Sequence, residues 1–203
     1  MIFGARMKKV TIRIIILFLL ISGFHSVHIQ AASNQETIDI SGTLTDHVAI
    51  VLVIDNSNSM IESDADSNRF NVAQMILELL SKDDYFAAVT FNNTADTLIP
   101  MSKLSDEQRQ TTRDILSAPP AAGGTTDYQL ALTQAEAEFA AVSDENLRRF
   151  IVFLTDGEPW LDDSSIDMET YLADLKVQVQ AISEQNQGVP VYTIGFNTSN
   201  EEL

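Results

Sequence analysis

Seven apolar residues stand together at positions 48–54 with no polar residue among them. A strand with one wet face would alternate, so the run predicts a strand buried on both faces of a parallel sheet, and the natural central strand of the fold. Residues 85–91 and 150–154 predict two further strands, and residues 189–195 the last. Residues 96–99, short and closed by Pro100, read as an edge strand reached by a hairpin. The polar stretch 33–47 reads as a linker, and nothing in the chain repeats.

Between these runs the period changes from continuous to helical. Ala73, Ile76, Leu77 and Leu80 follow i, i+3, i+4, i+7 and predict a helix that starts near Asn68. Ser105 and Gln108 form a capping box for a helix running to about Leu116, stopped by Pro119 and Pro120. Thr126 and Gln129 read as the capping pair of the next helix, with Tyr128, Leu132, Ala135 and Phe139 on one face. Leu172, Leu175, Val179 and Ile182 mark the last. Strands alternating with helices need right-handed crossovers, so the expected fold is α/β, a doubly wound and mostly parallel sheet with helices on both faces.

The amino-terminal pattern is different. Arg6, Lys8, Lys9 and Arg13 precede an apolar run at 14–24, and small residues follow at Ala31, Ala32 and Ser33. That order is a secretory signal peptide, expected over residues 1–32. A membrane span needs about 20 apolar residues, whereas this run soon meets His25 and His28. The expectation is a secreted or cell-surface protein of bacterial type, with no stable membrane insertion once the leader is cleaved.

Charge narrows the partners. The chain has 12 Lys+Arg against 29 Asp+Glu, and its net charge is −17. Four of the basic residues and no acidic ones lie in the leader, so the remainder carries 8 minus 29, about −21. Such a surface repels nucleic acid and anionic membranes and favours cations and basic partners. There is no cysteine, so a metal must be held by oxygen or nitrogen. His47, the one histidine outside the leader, stands just before the first strand, away from any candidate chemistry.

The candidate chemistry lies in three loops. Asp55, Ser57 and Ser59 follow the central strand at alternate positions, Gly123-Gly124-Thr125-Thr126 precedes a helix, and Thr155-Asp156-Gly157 follows the strand at 150–154. In an open α/β sheet ligands bind beyond the carboxyl ends of the strands, at the switch in strand order. Singly, each loop has a plain structural explanation: an Asp capping a helix, hydroxyls bonded to local backbone, a Gly-Gly turn. Together they supply carboxylates and hydroxyls, hard oxygen donors suited to Mg²⁺ or Mn²⁺.

On these three segments the chain resembles the von Willebrand factor A domain, over residues 46–197. Asp55-x-Ser57-x-Ser59, Gly123-Gly124-Thr125 and Thr155-Asp156-Gly157 match that family's metal-ion-dependent adhesion site. The resemblance implies a Rossmann-like fold in which Ser57, Ser59 and Thr125 ligate the metal directly or nearly so, and Asp55 and Asp156 act directly or through water. It implies an adhesion or protein-binding module whose partner presents an Asp or Glu to the metal. Domains of the family usually continue with one more strand and helix, so residues 48–203 are expected to be a domain lacking those last elements.

Other functions fit less well. A haloacid-dehalogenase-type phosphatase would use Asp55 as nucleophile, but it needs a second carboxylate where Ser57 stands and a Lys near the phosphate. No enzymatic activity is therefore expected. A scaffold or assembly role in a surface complex is the alternative binding function. Glu62, Asp64 and Asp66, with Asn68, read as a solvated loop rather than a Ca²⁺ site, because no full loop signature is present. Trp160, beside the Asp156 loop, is expected to pack against its own loop, with bordering the ligand surface as the alternative, and sequons begin at Asn92 and Asn197.

Overall fold

The computed structural model describes residues 47–144, 147–157, 159–163, 165–186 and 188–196. The chain divides into two units, Met1–Thr43 and Leu44–Leu203, and every described residue belongs to the second. The leader, nearly all of the linker and the sequon at Asn197 lie outside the described residues.

Five strands form one sheet: β1 (Val48–Asp55), β2 (Tyr85–Phe91), β3 (Ala95–Lys103), β4 (Arg148–Thr155) and β5 (Val191–Gly195). Their order is β3-β2-β1-β4-β5, with β1 in the centre as its unbroken apolar run requires. β1 runs parallel to β2 and β4, β4 parallel to β5, and only β3 is antiparallel to its neighbour. The chain leaves β1 toward β2 on one side and later returns to β4 on the other. The switch in strand order thus falls at β1 and β4, whose carboxyl ends come level where Ile54 faces Leu154.

The helices are α1 (Met60–Ser63), α2 (Asn68–Leu79), α3 (Asp106–Leu116), α4 (Tyr128–Glu138) and α5 (Met168–Gln185), with a 3₁₀ turn at Phe139–Ala141. Side chains alternate across β1, and each face has its own core. Ala49, Val51 and Val53 pack with Ala131, Leu132, Ala135 and Ile182 of α4 and α5. Leu52 and Ile54 pack with Phe70, Ala73 and Leu77 of α2 and Leu116 of α3. The doubly wound sheet with helices on both faces is the fold that the alternating pattern predicts.

Three local expectations give way to tertiary contacts. β3 continues through Pro100, which falls in one of two register irregularities against β2. An edge strand tolerates the missing N–H, and the freed Met101 N–H donates instead to Glu138 Oε2 of α4 at 2.8 Å. The N-cap of α4 is Asp127, not Thr126: its carboxylate accepts from the Gln129 and Leu130 N–H groups. Thr126 is occupied by a backbone bridge to Trp160. In α5 the buried face runs through Tyr171 and Ile182, with Leu175 and Val179 half-buried, while Leu172 turns outward.

Candidate metal centre

β1 delivers Asp55 to the sheet's carboxyl edge, fully buried at 0% exposure. Its Oδ1 accepts from the Ser57 N–H at 2.9 Å and its Oδ2 from the Thr155 hydroxyl at 2.6 Å, so the ends of β1 and β4 are tied through one carboxylate. Burial pushes the Asp55 carboxyl above its ordinary value; hydrogen bonds from Ser57 and Thr155 oppose that shift, and the Asp156 charge adds to it. The Tyr128 hydroxyl lies 2.8 Å from Thr155 Oγ1 and donates to the Gly157 carbonyl at 2.5 Å. The Tyr128 ring is wedged edge-on against Phe91 and tilted against Phe153, each centroid 5.5 Å away.

The chain then turns into α1. Ser59 occupies the N-cap position but makes no side-chain cap bond. Its hydroxyl donates to Asp156 Oδ1 at 3.0 Å, and Ser57 Oγ lies 3.1 Å from Ser59 Oγ. Ser57, Ser59 and Asp156 therefore present a run of three side-chain oxygens, each about one hydrogen bond from the next.

The glycine loop is stitched onto this turn by backbone. Gly123 N–H donates to the Asn56 carbonyl at 2.9 Å, and Asn58 N–H to the Gly124 carbonyl at 3.1 Å. Gly124 has φ +83°, and a Cβ there would stand 2.2 Å from Asn93 Oδ1 and 3.3 Å from Asn92 Cβ. Only glycine serves at this close approach. Thr125 follows, 4% exposed. Thr126 pairs in both directions with Trp160, 2.7 and 3.1 Å, and Trp160 stands 58% exposed.

Beneath the three loops lies a polar clamp that the motifs do not name. Asn56 is buried; its Nδ2 donates to the Ala121 carbonyl at 2.8 Å and its Oδ1 accepts from Arg69 Nη2 at 3.0 Å. Arg69 Nη1 pairs with Asp64 at 2.9 Å, both side chains nearly inaccessible. Asp64 also accepts from the N–H groups of Asn68 at 2.7 Å and Arg69 at 2.9 Å, closing the start of α2. The expected solvated loop is thus buried at Asp64, and the carboxylate is spent on Arg69 and the helix end. One signal was available: Arg69 is the only Lys or Arg between the leader and Lys82, and it follows a run of carboxylates.

The donors fit a hard divalent ion. The Ser57 and Ser59 hydroxyl oxygens, 3.1 Å apart, are close to the spacing of adjacent corners of an octahedron with metal–oxygen bonds of about 2.0–2.1 Å, which are about 2.9 Å apart. Among the described residues no three His, Asp or Glu side chains gather as a metal site, so a metal here would depend on the hydroxyls.

A mostly parallel open sheet with helices on both faces, and with hydroxyls and two carboxylates at its switch point, is a Rossmann-like domain. The chain belongs to the von Willebrand factor type A domain family, whose model matches residues 49–203. Among solved structures it is similar to a von Willebrand factor type A protein from Catenulispora acidiphila, at 21% identity over 73% of this chain and 33% of that one, TM-score 0.55. It is also similar to manganese-loaded TRAP protein of Plasmodium vivax, at 18% identity over 75% of this chain and 59% of that one, TM-score 0.56. A third is proximal thread matrix protein 1 from the mussel byssus with a zinc-occupied adhesion motif, at 17% identity over 73% of this chain and 38% of that one, TM-score 0.54. The chain spans less than two thirds of the length of each. No curated protein sequence matches it. No helix among the described residues is long and apolar enough to cross a membrane.

Proposed function

We propose that the protein is an extracytoplasmic, metal-dependent adhesion module. Ser57, Ser59 and Thr125 would hold Mg²⁺ or Mn²⁺, with Asp55 and Asp156 acting directly or through water, and a partner protein would present an Asp or Glu to the ion. The observation that carries this reading is the hydroxyl pair Ser57–Ser59, 3.1 Å apart beyond the end of β1, with Asp156 from the end of β4 accepting from Ser59 at 3.0 Å. When bound, the ion supplies an electropositive point with an exchangeable position for a carboxylate.

The chain's own residues set the terms. Hydroxyls bring no charge, so the ion keeps more of its own than it would among carboxylates alone. Asp55, held at both oxygens, anchors the turn that carries Ser57 and Ser59. Around the rim Trp160 and Ile61 stand 58% and 52% exposed, side chains able to rest against a partner beside its carboxylate. A protein-binding role without catalysis agrees with this arrangement, because no Lys belongs to the three loops to stabilise a transferring phosphoryl group.

Thermal unfolding tests the reading. At about 100 times its dissociation constant the metal should stabilise by about 2.7 kcal/mol over the EDTA-treated protein. Asp55→Ala and Thr125→Ala should lose that increment while still unfolding cooperatively. A parent protein whose transition is indifferent to Mg²⁺ and Mn²⁺ would sink the proposal.

A further inference from the structure

Ser63 ends α1 four residues beyond Ser59, so one helical turn brings its hydroxyl back over the Ser59 backbone. Its Oγ lies 3.0 Å from the Ser59 carbonyl and donates to Asp156 Oδ2. A hydroxyl has one proton, and an ionised carboxylate is a stronger acceptor than a carbonyl, so the proton belongs chiefly to Asp156. Asp156 is then gripped at both oxygens by the same short turn: Ser59 holds Oδ1 and Ser63 holds Oδ2. Neither Asp156 oxygen is left without a hydroxyl partner.

The geometry points to Ser63 as a positioning residue that keeps Asp156 off the metal, so that this carboxylate acts through the Ser59 hydroxyl. The inference rests on the reading of the site as a divalent-cation site. Its logic is charge. A carboxylate placed directly on the ion would strengthen metal binding and neutralise part of the charge that attracts a partner's Asp or Glu. Held by Ser63, Asp156 instead polarises Ser59 and leaves the ion more electropositive. Ser63 thereby exchanges metal affinity for ligand affinity, and removing its hydroxyl moves the two in opposite directions.

Two titrations on the whole chain separate the possibilities: Mn²⁺ binding followed by loss of the free-ion paramagnetic resonance signal, and acetate binding to the Mn²⁺-loaded protein followed by broadening of its ¹³C resonance. Ser63→Ala should bind Mn²⁺ about tenfold more tightly and acetate about tenfold more weakly, the lower end of what partners of metal ligands contribute. Ser63→Thr, which keeps the hydroxyl, should behave as the parent. A Ser63→Ala protein with both affinities unchanged, or both weakened, overturns the inference while leaving the metal site itself intact. Failure of the parent to bind Mn²⁺ overturns the adhesion-site reading and this inference together. Should Ser63→Ala not unfold cooperatively without metal, Ser63→Cys, similar in size but a weaker donor, must show the same opposed shifts or the inference falls.

Discussion

Asp55 carries two opposed demands at one position. Burial raises its carboxyl above the ordinary value, whereas a bound cation needs it ionised. Without metal the folded state holds the Asp55 proton more tightly than the unfolded chain does. That contribution to stability is full below the unfolded value and is lost as pH rises through the raised folded one. The metal-free protein should therefore unfold at lower temperature as pH climbs through this window, relative to Asp55→Asn, which has no proton to lose. With saturating Mg²⁺ the sign should reverse, because protons then compete with the ion. Unfolding temperatures of the two proteins from acid to neutral pH, with EDTA and with Mg²⁺, check both halves.

At the scale of elements, the site depends on how α1, α2 and the loop before α4 are fastened to the end of β1. The fastening is the Asp64–Arg69–Asn56–Ala121 chain, in which one buried cation joins a helix start to the loops above it. Arg69→Leu leaves Asp64 buried without its charge partner, a change that costs about 3–5 kcal/mol. Urea unfolding of the metal-free variant should show that loss as a lower midpoint. The surviving Asp64 bonds to the Asn68 and Arg69 N–H groups should keep α2 formed. An Arg69→Leu protein as stable as the parent would mean that the clamp is not what holds the loops. The edge strand depends on a similar device, since Glu138 reaches from α4 to Thr97 and Met101 of β3.

Across the whole molecule, a net charge of −17 surrounds a site that must draw in a cation. The summed field raises the local concentration of divalent ions, and salt screens it with a Debye length that shrinks from about 30 Å at 0.01 M to about 3 Å at 1 M. Mg²⁺ affinity should therefore weaken several-fold as NaCl is raised across that range. Calorimetric titrations at two or three ionic strengths decide the point. A salt-independent affinity would confine the attraction to the ligating oxygens.

Much of this architecture is legible one element at a time. The apolar run ending at Ile54, the i, i+3, i+4 faces of α2 and α4 and the Ser105 cap all express backbone and burial preferences that act over a few residues, and the structure keeps them. The residues of the three loops are equally visible, because turn chemistry and donor types are written locally. What only the tertiary structure decides are the partners. Pro100 stays in β3 because that strand is at the edge. Asp127 rather than Thr126 caps α4 because the helix starts at Tyr128, and Asp64 is buried with its charge paired to Arg69, which also reaches Asn56. Thr155 finds Asp55, and Ser63 finds Asp156, across 100 and 93 residues of chain. Such contacts arise only once β4 lies beside β1, and strand order is set by the packing of whole helices on both faces, a sum over distant surfaces that no local period records.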